Sequence, residues 1–195
     1  MTDEKRMRAF LALDLPTQIR RNIAALQGRL KQTLRGDIRW TDPDSVHLTL
    51  KFFGSISRPQ IAAITTVVSG ITAGTARIAL KAGKLGAFPG TKRPRVIWLG
   101  LEGDTEPLAR LQMEIDGKLL ACGFATEGRP FRPHLTLGRL RAPGTISGFD
   151  AIIAEGNETT AGGFTASELI LFKSELTPRG SIYTPLAIYP FATLK

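Results

Sequence analysis

His47-Leu-Thr-Leu50 and His134-Leu-Thr-Leu137 are two copies of one four-residue pattern, and they contain the only two histidines of this 195-residue chain. The copies lie 87 residues apart. Arg8 and Arg95, which each begin an apolar run of strand length, have the same separation. Two landmarks that share one offset indicate that a segment of the chain has been duplicated.

The apolar spacing around these landmarks predicts a β-α-β-α-β unit that occurs twice, with repeats at roughly 7–86 and 93–190. Strands are predicted at 8–14, 46–53, 76–80, 95–101, 131–140, 168–173 and 183–189, and helices at 16–36, 57–71, 104–123 and 146–153. Two copies favour two lobes, because a solenoid needs more repeats. We therefore expect an α+β fold: one bilobal domain over 1–195, whose two antiparallel sheets face a central cleft and carry helices outside.

Composition narrows the class of protein. Lys and Arg number 26 against 17 Asp and Glu, a net charge of +9, which attracts polyanions such as RNA. The single Cys122 can form no internal disulfide, and two histidines beside it cannot complete a thiolate-rich zinc site. No apolar run is long enough for a membrane span or a signal peptide. The sequence therefore predicts a cytoplasmic protein with no cofactor, metal or membrane partner.

The repeated pattern carries the chemistry. Side chains alternate along a strand, so His47 and Thr49 share one face while the intervening leucines pack behind, and His134 and Thr136 do the same. Two such strands across a cleft would present two imidazoles and two hydroxyls to one phosphate. A neutral imidazole can activate water while a protonated one supplies the leaving oxygen's proton. The near-symmetry of the halves leaves open which histidine is acid and which is base.

Several other side chains are candidates beside the histidines. Lys51 keeps the parity of His47 and could face the cleft mouth or solvent. Arg139 has the wrong parity relative to His134, unless Gly138 allows a bulge that redirects it. Candidates for stacking on a base are Phe10, Trp40, Phe88 and Tyr183, and candidates for a phosphate track are Lys92, Arg93, Arg95, Arg129, Arg132, Arg139 and Arg141.

Taken together, these motifs resemble the 2H phosphoesterase superfamily. Within it, the chain is similar to the RNA 2′,3′-cyclic phosphodiesterases, once described as 2′-5′ RNA ligases. The resemblance covers nearly the whole chain. Besides the two histidine motifs it includes Arg8–Asp14, Gly86–Pro89, Arg93–Trp98, Ser174–Gly180 and Tyr183.

The resemblance implies metal-independent hydrolysis of RNA 2′,3′-cyclic phosphate ends, tRNA fragments among them, to 2′-phosphomonoesters, with O3′ as the leaving group. His47 would then be the proton donor and His134 the proton acceptor. Thr49, Thr136 and Arg139 would bind the phosphate. A weak reverse reaction would join RNA ends through a 2′-5′ linkage. We expect a monomer, because one chain supplies both catalytic halves.

Two alternatives remain open at this point. The same chemistry could act on small cyclic phosphates or on 2′-5′ oligoadenylates, which an RNA-length dependence would distinguish. A non-catalytic module that binds RNA ends would share the fold but show no turnover.

Overall fold

The computed structural model describes residues 6–141, 146–155, 157, 159–178 and 180–193. The strands are β1 (Met7–Leu13), β2 (Ile38–Trp40), β3 (Leu48–Ile56), β4 (Ile78–Phe88), β5 (Val96–Gly103), β6 (His134–Leu140), β7 (Thr160–Ala166), β8 (Glu168–Thr177) and β9 (Gly180–Pro190). The helices are α1 (Thr17–Thr33), α2 (Arg58–Thr72), α3 (Thr105–Leu120) and α4 (Phe149–Ala154), with a 3₁₀ turn at Pro43–Ser45.

Helix α2 begins at a capping signal in the sequence, and helix α1 follows an apolar repeat. In α2 the Ser57 backbone N–H donates to the Gln60 side chain at 2.9 Å, a capping-box contact, and Pro59 lies in the first turn. In α1 the residues Ile19, Ile23, Leu26 and Leu30 recur on one face, and all are buried. The helices therefore follow from local patterns that can be identified in the sequence.

The strands form two antiparallel sheets. The four-stranded first sheet has the order β3-β1-β8-β9, and the five-stranded second sheet has the order β2-β6-β5-β4-β7. The duplicated α+β architecture with a cleft between two sheets is confirmed. The short edge strands β2 and β7 were not predicted, since three to seven residues with few apolar side chains give little periodic signal.

Each sheet draws on both halves of the sequence. Strand β4 belongs to the first half but pairs with β5 in the second sheet. Strands β8 and β9 belong to the second half but lie in the first sheet, where β8 pairs with β1. Helix α1 crosses in the same way, since its Asn22 and Gln27 side chains donate to carbonyls of β7 and β6. A lobe of the molecule is therefore not one half of the chain.

The main core is continuous across both sheets. Leu11, Leu48, Leu99 and Leu135, from four different strands, are all almost completely buried in it. A second, smaller apolar cluster consists of Phe10, Ala12, Ile170 and Phe172 with Tyr183 packed against it. Its strands belong to the first sheet, on the side that faces the cleft.

Strand register gives the relation between the repeats. Thr49 pairs with Ala12 on β1, and Thr136 pairs with Trp98 on β5. The offset is thus 87 residues between β3 and β6, but 86 between β1 and β5. Arg8 and Arg95, which are 87 residues apart, are therefore not equivalent positions: they differ by one residue from the structural register. The duplication that their spacing indicated is nevertheless present.

Candidate active site

The two histidine motifs meet at one cavity of about 500 Å³ between the sheets. His47 immediately precedes β3 and Thr49 lies near its start, while His134 and Thr136 lie at the start of β6. The other lining residues are Arg8, Ala9, Phe10, Thr41, Ser45, Val46, Phe52, Gly54, Arg139, Ser174, Leu176, Ser181 and Tyr183. Among the described residues, no Asp or Glu lines this cavity, so it suits an anion.

Both imidazoles are oriented in the same way. The Nδ1 atom of His47 lies 2.8 Å from the Ser45 carbonyl, and that of His134 lies 2.7 Å from the Arg132 carbonyl. A carbonyl oxygen only accepts, so each Nδ1 carries a hydrogen and donates it. This fixes the tautomer and leaves Nε2 of each ring for proton transfer to or from a ligand.

Arg20 holds the turn before His47 in place. Arg20 on α1 forms an ion pair with Asp14 and donates to the carbonyls of Leu15 at 3.0 Å and Asp44 at 2.7 Å. Asp44 precedes Ser45, whose carbonyl accepts from His47. The end of β1, the helix and the turn are therefore held together around this imidazole.

Aromatic rings pack against both histidines. His47 stacks on Phe10, with ring centroids 4.6 Å apart, and meets Tyr183 edge-on at 5.1 Å. His134 meets Phe88 edge-on at 5.0 Å and lies 6.4 Å from Trp98. These contacts restrict the rotamers of both imidazoles and remove water from around them.

Burial lowers the pKa of both histidines below the usual value of about 6.5. For His47 the hydrogen bond to Ser45 and the Asp14 carboxylate oppose this shift, while the charge of Arg20 adds to it. For His134 the hydrogen bond to Arg132 opposes the shift and the charge of Arg139 adds to it. Without a ligand, both imidazoles are therefore mainly neutral at pH 7.

Equivalent β-bulges follow the two histidines. Along β3 the pairing shifts between Thr49 and Lys51, so that Leu50 is an extra residue, and along β6 it shifts between Thr136 and Gly138, so that Leu137 is extra. A bulge reverses the face on which later side chains lie. The last leucine of each His-Leu-Thr-Leu pattern is therefore where simple alternation ends.

The bulges change the outcome for two candidates. Arg139 lines the cavity, as the bulge at Gly138 permits. Lys51 does not, and it faces neither the cleft mouth nor solvent, so both alternatives predicted for it were wrong: the side chain is buried, pairs with Asp116 of α3, and donates to the Ala125 carbonyl at 2.7 Å. Phe52 takes the cleft-facing place instead and is 62% exposed.

Buried polar groups hold both bulges. Behind β6, the Gln27 side chain of α1 donates to the carbonyls of Leu137 at 2.9 Å and Thr41 at 2.8 Å. Behind β3, the second carboxylate oxygen of Asp116 accepts from the backbone N–H of Glu127 at 3.0 Å while the first meets Lys51. Each bulge is thus fixed by a helix from the other half of the sequence.

Only some of the candidates for base stacking and for the phosphate track line the cavity. Of the base-stacking candidates, Phe10 and Tyr183 line the cavity, whereas Trp40 and Phe88 do not. Of the phosphate-track candidates, only Arg139 is among its lining residues, and Arg132 borders a separate shallow depression beside Trp98. Arg179, in the segment Ser174–Gly180 that carries part of the resemblance, lies outside the described residues.

Sequence reasoning did not select Arg8, Phe52, Leu176, Ser174 or Ser181 as site residues. Arg8 alone carried a usable signal, because it shares the strand face of Phe10. The hairpin of β8 and β9 belongs to the second half of the chain and joins the site only through its pairing with β1. No local sequence pattern predicts the pairing of β8 with β1.

Two further findings concern the described ranges as a whole. No three His, Cys, Asp or Glu side chains within them converge as metal ligands would. No helix within them is long and apolar enough to cross a membrane.

Comparison with known proteins places this chain in a family. A family model for the LigT-like phosphoesterases matches residues 13–98 and again residues 99–183, so the two repeats match separately. This chain belongs to the LigT-like phosphoesterase family. It is therefore a hydrolase of phosphoric esters, and the 2H phosphoesterase resemblance is confirmed.

Proteins similar to the LigT-like chain match it over most of its length. A protein of Methanothermobacter thermautotrophicus named RNA 2′,3′-cyclic phosphodiesterase is 34% identical over 184 residues, 94% of this chain and 98% of the relative. One of the same name from Methanocaldococcus jannaschii is 34% identical over 177 residues, 91% of this chain and 96% of that one. The crystal structure of Escherichia coli LigT in its apo form, 25% identical, has a TM-score of 0.74 and covers 97% of this chain and 99% of that chain.

Proposed function

We propose that this LigT-like phosphoesterase hydrolyses RNA 2′,3′-cyclic phosphate ends to 2′-phosphomonoesters, without metal, by acid–base catalysis between His47 and His134. The observation that carries the proposal is the pair of imidazoles at one cavity, each with Nδ1 bound to a backbone carbonyl and Nε2 available. The names of the relatives support the substrate class.

The reaction balances with these groups alone. Neutral His134 Nε2 takes a proton from water as the water oxygen forms a bond to phosphorus. The bond from phosphorus to O3′ breaks in line, and protonated His47 Nε2 gives its proton to O3′. His134 ends protonated and His47 neutral, and exchange with solvent restores both. With the 5′-hydroxyl of a second RNA end in place of water, the same in-line step would form a bond from that oxygen to phosphorus, release O3′ and join the ends through a 2′-5′ linkage.

The surrounding groups stabilise the charge that grows on the phosphate. The hydroxyls of Thr49 and Thr136 and the guanidinium of Arg139 can donate to the non-bridging oxygens. The phosphate's own negative charge favours the protonated form of a neighbouring imidazole, which offsets the burial that lowers both pKa values. Substrate binding therefore helps to supply the acid that the free protein mostly lacks at pH 7.

A short RNA that ends in a 2′,3′-cyclic phosphate tests this in EDTA, with the position of the product phosphate identified. We expect a 2′-phosphate, and a loss of at least about a thousandfold in kcat for His47→Ala and for His134→Ala. Thr49→Val and Thr136→Val should each cost about tenfold or more. Thr66→Val, on the exposed surface of α2, is the matched control and should retain full activity.

Other outcomes of this experiment would support a different leaving group, a different substrate or a binding role. A 3′-phosphate would retain two-histidine catalysis but overturn the leaving group. Turnover of small cyclic phosphates or 2′-5′ oligoadenylates with no turnover of RNA ends would select the first alternative. RNA binding without turnover of any of these would select the binding module. The cytoplasmic, monomeric state and the tRNA-derived substrate stay predictions.

A further inference from the structure

The cavity extends much further along one sheet than along the other. Among its described lining residues, Thr41, His134, Thr136 and Arg139 belong to the second sheet or the segment after β2. The rest belong to the first sheet or the turn before β3, and they reach outward to Leu176 and Ser181 on the hairpin of β8 and β9. A ligand larger than a phosphate therefore has room on the side of His47.

Phe52 gives this side an exposed aromatic surface. Its ring lies 5.9 Å from that of buried Phe10, yet 62% of the residue stays accessible at the cavity. The position equivalent to Phe52 in the other repeat, 87 residues on, is Arg139. Duplication thus produced a cation at one end of the site and an aromatic ring at the other, and an exposed ring beside a phosphate site is the usual support for a nucleobase.

Arg8 adds a second cation on the same side. It lies on β1 two residues before Phe10, on the same face, so its backbone is about 6.6 Å further from the histidines. The residue is exposed and lines the cavity, and the neighbouring strands contribute the hydroxyls of Ser174 and Ser181. A guanidinium among hydroxyls, with no carboxylate lining the same cavity in the described chain, is suited to a phosphodiester.

We propose that Arg8 and Phe52 form an outer subsite that binds the last nucleotide of an RNA chain. Phe52 stacks on the base, and Arg8 binds the 5′-phosphodiester that links this nucleotide to the preceding one. The proposal rests on the proposed function and adds a substrate class to it: RNA chains are preferred over free nucleoside 2′,3′-cyclic phosphates, which lack that 5′-phosphodiester.

The test compares two substrates of known structure, a nucleoside 2′,3′-cyclic monophosphate and a dinucleotide that ends in the same cyclic phosphate. For Arg8→Gln we expect the ratio of kcat/KM, dinucleotide over mononucleotide, to fall about fivefold or more. The slope of log kcat/KM against log salt for the dinucleotide should become shallower by about 0.7. Arg77→Gln removes the same charge at an exposed position outside the cavity and should change neither quantity.

Phe52→Ala tests the base-stacking part separately. We expect KM to rise roughly five- to hundredfold for both substrates, with a smaller change in kcat, since both carry the base. Met113→Ala removes a side chain that is similarly exposed, at 61%, on α3 and is the matched control. An unchanged substrate ratio for Arg8→Gln, or an unchanged KM for Phe52→Ala, would overturn the corresponding half of the proposal.

Equilibrium binding keeps this test separate from the proposed function. If the wild-type protein hydrolyses neither substrate, the proposed function fails, but the Kd values of a mononucleotide and a dinucleotide that end in a 2′-phosphate can still be measured. The subsite then predicts the same fall in the dinucleotide preference for Arg8→Gln. Equal Kd ratios in wild type and variant would overturn it.

Discussion

In the proposed mechanism, the protonation of His47 and His134 determines how activity responds to pH. Both have pKa values lowered by burial, so the acid form of the free enzyme becomes scarce as the pH rises above about 6.5. The base form becomes scarce at still lower pH. The two limbs belong to the coupled pair and not to either histidine alone.

The pH dependence of kcat/KM should therefore be a bell with its maximum below about pH 6.5, falling tenfold per pH unit on the far alkaline side. The profile of kcat should lie at higher pH, because bound phosphate favours the protonated acid. Steady-state rates on a cyclic phosphate substrate across the pH range would measure both. A kcat/KM maximum above about pH 7.5 would contradict lowered pKa values in the free enzyme.

The same pKa shifts affect stability. Each histidine has a lower pKa folded than unfolded, so the unfolded chain binds more protons near and below pH 6.5, and folding stability falls as the pH drops through that window. Each unit by which a pKa is lowered corresponds to about 1.4 kcal/mol. In urea unfolding, the wild type should lose more stability between about pH 7.5 and pH 5 than the double variant His47→Gln/His134→Gln. An equal loss in both would show that the histidines are not the cause.

At the level of elements, the two bulges determine which side chains reach the site. Gly138 lies at the second bulge, where a Cβ would come within 2.9 Å of Ile38 Cγ2 and 3.3 Å of the Arg39 carbonyl. A larger residue there must displace β2 or straighten β6. Either movement would change where Arg139 points.

We expect Gly138→Ala to destabilise the protein by about 1–3 kcal/mol, by overpacking, and to raise KM through Arg139. Gly117→Ala is the matched control, because this glycine lies within α3 with no atom within 4 Å of an added Cβ. Gly117→Ala should stabilise the protein by about 0.5–1 kcal/mol and should not change KM. Urea unfolding and steady-state kinetics on both variants would settle the comparison. An unchanged KM in a destabilised Gly138→Ala would separate the bulge from substrate binding.

The first bulge depends on the buried pair of Lys51 and Asp116. Lys51→Met leaves the Asp116 carboxylate without its cation and should cost about 3–5 kcal/mol. The double variant Lys51→Met/Asp116→Leu removes both charges and should be less destabilised than the sum of the two single variants. A double-mutant cycle by urea unfolding measures this coupling. Strict additivity would mean that the two side chains do not stabilise each other.

These bulges also mark where sequence reasoning succeeds and where it stops. The alternation rule correctly brought His47, Thr49, His134 and Thr136 to one cleft, because all four precede the extra leucine. It failed at Lys51, which follows the extra residue. A bulge is fixed by tertiary contacts, here those of Gln27 with Leu137 and of Asp116 with Lys51. Gly138 was a local sign of the second bulge, but no residue at the first bulge gave a comparable signal. The duplication was detectable because motif, spacing and element order repeat together.

At the scale of the whole molecule, the exchange of strands joins the two halves into one unit. Strand β4 fills the middle of the second sheet, and β8 fills the middle of the first, so neither half contains the neighbours its strands need. The connection between β4 and β5 is a loop over residues 89–95, of which 91–93 are exposed. Cutting there breaks the chain without removing a pairing.

A protease site placed at Gly90–Arg93 would test this interdependence. The nicked protein should keep its structure and unfold in one transition, because all strand pairs survive the cut. Fragments 1–90 and 91–195, once separated in denaturant, should each fail to fold, since unpaired strands and half a core cannot offset the loss of conformational entropy. Far-UV circular dichroism follows the whole molecule, and fluorescence follows Trp40 and Trp98, both in the second sheet. Remixing should restore both signals together, whereas cooperative unfolding of either fragment alone would mean that a half of this chain is a domain in its own right.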